Sequence, residues 1–101
     1  METETKRFLI QLFPPRPTFV EDMTEAERKL MQEHALYWRG LTDRRIAVVF
    51  GLVLDPKGPW GVAIVEAADE PDARALGTND PAVKAGLTFE VYPMPGAIVR
   101  K

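Results

Sequence analysis

The segment Arg45-Ile-Ala-Val-Val-Phe-Gly-Leu-Val-Leu54 constrains the fold more than any other. It has the length of a strand, and apolar residues fall on both of its alternating faces, so protein must cover it on two sides. Strict alternation puts Ile46, Val48, Phe50, Leu52 and Leu54 on one side and Ala47, Val49 and Val53 on the other. Asp55-Pro-Lys-Gly-Pro59 is dense in turn formers, and Trp60-Gly-Val-Ala-Ile-Val-Glu-Ala67 is a second run with β-branched content. The two runs and their turn make a hairpin.

The remaining elements follow from punctuation and period. Residues 7–13 form a short, mostly apolar run that Pro14-Pro15 ends, which reads as the first strand. Residues 14–22 read as a loop, because three prolines remove donors and favour extended backbone. Long ordered loops of this kind often carry function. Thr24-Glu-Ala-Glu27 matches a capping box, and Met23, Ala26, Leu30, Met31, Ala35, Trp38 and Leu41 then recur at helical spacing. That helix is expected to end near Thr42. Asp69-Glu-Pro-Asp72 starts another helix, which is expected to stop at Gly77. Asp80-Pro81 opens a single short turn ended by Gly86, and residues 87–92 form the last strand.

The resulting order is β-α-β-β-α-β, the ferredoxin-like arrangement of an α+β protein: one antiparallel four-stranded sheet with two helices on one face. Two helices cover one face only, and an uncovered apolar face of several hundred Å² is rare in a monomer. A second copy is therefore expected to pack sheet to sheet, giving a homodimeric α+β barrel. Residues 1–6 read as a frayed tail and 7–95 as one domain, while 96–101 form a tail in which Ala97-Ile98-Val99 is a candidate edge strand.

Composition narrows the function. The chain has 101 residues, 13 basic and 15 acidic side chains, one His and no Cys. Neither half carries the basic excess that nucleic acid requires, so no nucleic-acid partner is expected. Zero Cys and a single His leave no thiolate chemistry and no zinc-ligand spacing, so no metal and no cofactor are expected. The chain contains no Ser, which removes a Ser-His-Asp triad. No phosphate-loop, dinucleotide-binding or EF-hand pattern occurs. The polar, acidic N-terminus is unlike a secretory signal, and the longest apolar run falls far short of the roughly 20 residues that span a bilayer. A cytoplasmic protein without a membrane partner is the expectation.

Few residues remain for chemistry. His34 is the one side chain whose ordinary charge change falls near neutral pH, and it lies within the apolar stripe of the first helix. It reads either as a core histidine with one nitrogen hydrogen-bonded or as a general acid/base in a partly buried pocket. Asp80 reads either as an ordinary helix cap before Pro81 or as the carboxylate that orients the imidazole. Tyr37, Trp38 and Trp60 are candidates for an aromatic pocket wall or for core packing, and Arg16 for contact with an anionic ligand. Gly51 and Gly61, inside strands, point to a bulge or to close approach of another backbone or a ligand.

Taken together, these residues resemble the YciI-like (YCII-related) family. The resemblance rests on Pro14-Pro-Arg-Pro-Thr-Phe19 with Glu21-Asp-Met-Thr24, on His34 with Tyr37, on Gly51 and Gly61, on Ala73-Arg-Ala-Leu76, and on Asn79-Asp-Pro-Ala-Val-Lys-Ala-Gly86. It implies a dimeric α+β barrel with a ferredoxin-like protomer and a pocket holding a paired His and Asp, which by motif are His34 and Asp80 here. It also implies proton transfer or dechlorination on small ring-derived metabolites. The family often has Gly-Pro after the second strand, where this chain has Gly51-Leu52, which implies a different pocket rim. Two readings follow. One is a small cofactor-independent enzyme (isomerase, tautomerase, lyase or hydrolase in type) with His34 and Asp80 catalytic and Arg16, Tyr37, Trp38, Gly51 and Trp60 about the substrate. The other is a non-catalytic metabolite-binding or accessory module with the same pocket.

Overall fold

The computed structural model describes residues 5–100. Its elements are β1 (Lys6–Phe13), α1 (Phe19–Asp22), α2 (Glu25–Asp43), β2 (Ala47–Val53), β3 (Trp60–Ala67), α3 (Glu70–Thr78), α4 (Pro81–Lys84) and β4 (Thr88–Pro93). The strands form one antiparallel sheet in the order β2-β3-β1-β4. This is an α+β protein of ferredoxin-like fold. Among the described residues, no helix is long and apolar enough to cross a membrane.

Strand β1 runs through the sheet's centre, and its alternation sets the core. Phe8, Ile10 and Leu12 point to the helix side, opposite Val65, Ala63 and Gly61 on β3. Trp38 and Leu41 of α2 and Ala73 of α3 close over them. A second cluster, Leu12, Ala82 and Leu87, seats α4 against the end of the sheet. Removing these apolar surfaces from water is the main source of stability, at about 25 cal/mol per Å².

Helix α2 begins as its sequence dictates. The Glu27 amide donates to Thr24 Oγ1 at 3.1 Å, and the Thr24 amide donates to Glu27 Oε1 at 2.9 Å. It ends in a Schellman-type turn: the Ile46 amide reaches back to the Leu41 carbonyl at 2.9 Å and the Arg45 amide to that of Thr42 at 3.0 Å. Arg45 holds the left-handed position, φ 63°, that glycine more often fills.

Several expectations differ from the structure. The pairing of β2 with β3 shifts between Ala47 and Val49, so strict alternation fails: Ala47, Phe50 and Leu52 oppose the helix-side residues of β3, and Val49, Gly51 and Val53 its outer ones. The segment 14–22 contains the single-turn helix α1. Gly77 does not stop α3, which continues to Thr78; the glycine is buried where a Cβ would sit 2.5 Å from the Phe89 ring. Residues 97–99 join no strand, and Ile98 is 97% exposed. The tail expected over residues 1–6 lies outside the described residues at 1–4, while Lys6 already belongs to β1.

Candidate active site: a buried histidine–carboxylate pair

Asp80 is the pivot of the site. Its backbone is extended (φ −63°, ψ 128°) and caps α4, with its Oδ1 accepting from the Ala82 amide at 2.8 Å. Pro81 at the first helical position has no amide to satisfy. The same carboxylate is 0% exposed. Two further donors reach it from α2: His34 Nδ1, at 2.9 Å from Oδ1 and 2.7 Å from Oδ2, and the Trp38 indole Nε1, at 2.7 Å from Oδ2. His34 and Trp38 are four residues apart on a helix, so both rings leave the same face. Three N–H donors converging on one buried carboxylate offset the cost of removing it from water.

This arrangement fixes the imidazole. The carboxylate accepts, so Nδ1 carries the proton, and in the neutral ring Nε2 holds a lone pair. The Phe50 ring meets His34 edge-on at 5.3 Å and stacks on Trp38 at 5.9 Å, holding both rings from the sheet side. Nε2 has no hydrogen-bond partner among the described residues, and the ring borders a cleft of about 280 Å³. Leu12, Phe50 and Gly61 line the cleft from the sheet, Phe19, Val20 and Met23 from the α1 region, and Met31 from α2. Among the described residues, His34 is the only ionisable side chain in that lining.

The α1 region is held over the cleft by Arg16. Its guanidinium donates to Glu27 at 2.8 and 2.9 Å, to the Asp22 carboxylate at 2.8 Å and to the Asp22 carbonyl at 3.0 Å. The hydrogen bonds from Arg16, joined by the Thr24 amide, lower the Glu27 carboxyl to about 2. Asp22 is lowered by the Thr18 hydroxyl and then by Arg16. Arg16 also lies 5.3 Å from the centre of the Phe19 ring, one of the cleft's walls.

The residues expected to surround a substrate therefore separate. Gly51 and Trp60 line the cleft, with the Trp60 indole N–H donated to Asp55 at 3.0 Å. Trp38 faces Asp80 instead of the cleft. Tyr37 gives its hydroxyl to the Leu76 carbonyl at 2.6 Å, and burial, with the negative charge of Asp80 second, pushes its phenol above the ordinary value. Arg16 grips carboxylates of its own chain. A Cβ on Gly51 would meet nothing within 4 Å, so no close approach within the chain requires that glycine. Sequence reasoning missed Phe50, Phe19, Met31 and Leu87 as cleft residues. Phe50 belongs to a strand apolar on both faces, so its sequence does not say which face meets the helices; Phe19 sits on the helical turn read as loop. Among the described residues, no three His, Cys, Asp or Glu side chains cluster as a metal site would need.

A ferredoxin-like domain in which a buried carboxylate holds a histidine beside an apolar cleft defines a class of small α+β protein. The YCII-related domain matches residues 8–95, and the chain belongs to that family. No curated protein matches it.

Proposed function

We propose that the protein is a small enzyme of proton transfer, with His34 as its acid/base and Asp80 as the group that orients it. A neutral imidazole accepts a proton from a substrate O–H or activated C–H at Nε2. The positive charge that forms is stabilised by Asp80 at 2.7 Å. The imidazolium then returns the proton to a different atom of the substrate, which is isomerisation, or to a leaving group, which is elimination. The apolar lining lowers the local dielectric and strengthens the His34–Asp80 attraction through the step. The observation that carries the reading is the division of the ring, which borders the cleft: one nitrogen is held by a fully buried carboxylate, and the other has no hydrogen-bond partner among the described residues. The working unit in this proposal is a homodimer through the uncovered face of the sheet, with a small organic molecule as ligand.

Deuterium incorporation tests the chemistry whatever the product. A panel of small enolisable ring compounds is incubated with the protein in D₂O and read by mass spectrometry. The expected result is incorporation into at least one compound, reduced about 10²–10⁴-fold by His34→Gln, the range for loss of a general acid/base. Asp80→Asn is expected to reduce it as well, with loss of the Nδ1–H tautomer in ¹⁵N spectra of the imidazole. Incorporation no faster than with His34→Gln across the panel overturns the enzyme and leaves a binding module.

A further inference from the structure

We infer that the part of the ligand reaching His34 is uncharged and predominantly apolar and offers a single hydrogen-bond donor to Nε2, so that the site discriminates against carboxylates and phosphates. This rests on the reading of His34 as the cleft's proton-transfer group. Sites for anionic substrates supply a fixed cation, commonly arginine in a bidentate grip. Among the described residues, none lines this cleft. The cation nearest in function, Arg16, already serves two carboxylates, Asp22 and Glu27.

The charge behind the imidazole acts in the same direction. Asp80 is negative and fully buried, so a protonated His34 only neutralises it. A carboxylate entering beside that pair leaves one net negative charge in apolar surroundings, an arrangement that desolvation penalises. A cation fares no better, because Asp80 is already covered by three donors and Asp55 accepts from the Lys57 amide and the Trp60 indole. The shape agrees with the charge. A volume of about 280 Å³ lies just below the roughly 300–1,000 Å³ typical of pockets for drug-sized ligands, so a single ring fits it. Phe19, Phe50 and Trp60 offer aromatic surface, and Met23 and Met31 adapt to the outline.

Matched probes test this: 4-methylphenol, 4-methylbenzoate and 4-methylbenzylammonium, titrated into protein labelled with ¹³C-methyl methionine and ¹⁵N histidine. Met23 and Met31 border the cleft, whereas Met94 lies at a separate groove and serves as internal control. The expected result is that the phenol shifts Met23, Met31 and the His34 Nε2 resonance but not Met94, with a Kd at least tenfold lower than either charged probe. Equal or tighter binding of the benzoate or the ammonium through the same methyls overturns the inference and leaves the proton-transfer reading standing. Phenol binding that moves the methyls but not Nε2 overturns the proton-transfer reading itself. No response from any probe up to its solubility overturns the inference, with deuterium incorporation still deciding the chemistry.

Discussion

Asp80 does two jobs that the sequence offered as alternatives. It caps α4 through Ala82 and it holds His34. A local motif of Asp before Pro is visible in any sequence, but a sequence separation of 46 between the pair is not bridged by any local rule. Trp38 shows the same boundary. Its position four residues after His34 puts the two on one helix face, yet only the fold reveals that a carboxylate waits there for both. Under the proposed function the indole would be a positioning group, acting on His34 through Asp80. Trp38→Phe keeps the ring that stacks on Phe50 and removes one donor from a buried charge, a loss of about 1.5–3 kcal/mol for a hydrogen bond to a charged group. Denaturant titration should show that loss. The ¹⁵N imidazole spectrum separates positioning from packing. A changed tautomer or Nδ1 shift in a folded Trp38→Phe protein is the expected outcome, and an unchanged spectrum would assign the indole to packing alone.

Among the elements, α2 was the most legible, because a capping box and a helical stripe are both local signals. Strand β2 was the least, for a physical reason. Its residues are apolar on both faces, so a one-residue bulge leaves the hydrophobic pattern intact and cannot be read from it. Gly77 misled in another way: a glycine near the end of a helical pattern resembles a stop, whereas here it makes room for Phe89. Arg16 ties the short helix α1 to the start of α2, and that bond has a pH signature. Glu27 is depressed from 4.5 to about 2, with Arg16 the first cause, so its contribution to the folded state is complete above the ordinary carboxylate value. It is lost as pH falls through about 2. Amide exchange at Phe19, Glu21 and Asp22, whose amides bond to Arg16 and Thr18, should therefore be steady from pH 7 to 5 after correction for intrinsic rates. Glu27→Gln at neutral pH should accelerate those three amides while leaving the interior of α2 protected, since glutamine can still accept from the Thr24 amide. Unchanged exchange at the three sites would mean that apolar contact with the cleft, not the ion pair, holds α1 in place.

For the whole molecule, the order of elements carried the fold, since a split βαβ pattern admits few arrangements of one sheet. What it left open is the face the helices do not cover. Register across β1 and β3 puts Leu9 beside Ile64 and Gln11 beside Val62, and β2 adds Val49 and Val53. Arg7 pairs with Glu66 at 2.8 Å at one end of the same face. Leu9, Ile64, Val62, Val49 and Val53 make an apolar patch beside the polar Gln11 and Glu90 and the charged pair, the mixture found in interfaces with a polar rim. Val49, 49% exposed on the outermost strand, marks where the surface remains open. Light scattering on the eluting protein should give twice the 11.4 kDa of one chain at micromolar concentration. Ile64→Asp would place an unpaired carboxylate at the centre of the contact and should yield a folded monomer, with Val49→Asp as the milder variant should Ile64→Asp not fold. Circular dichroism of both variants establishes that the protomer is intact. A wild-type mass of one chain across that range, or variants that stay dimeric, would show that the two copies do not meet through the sheet, and the strands would then need no covering beyond water.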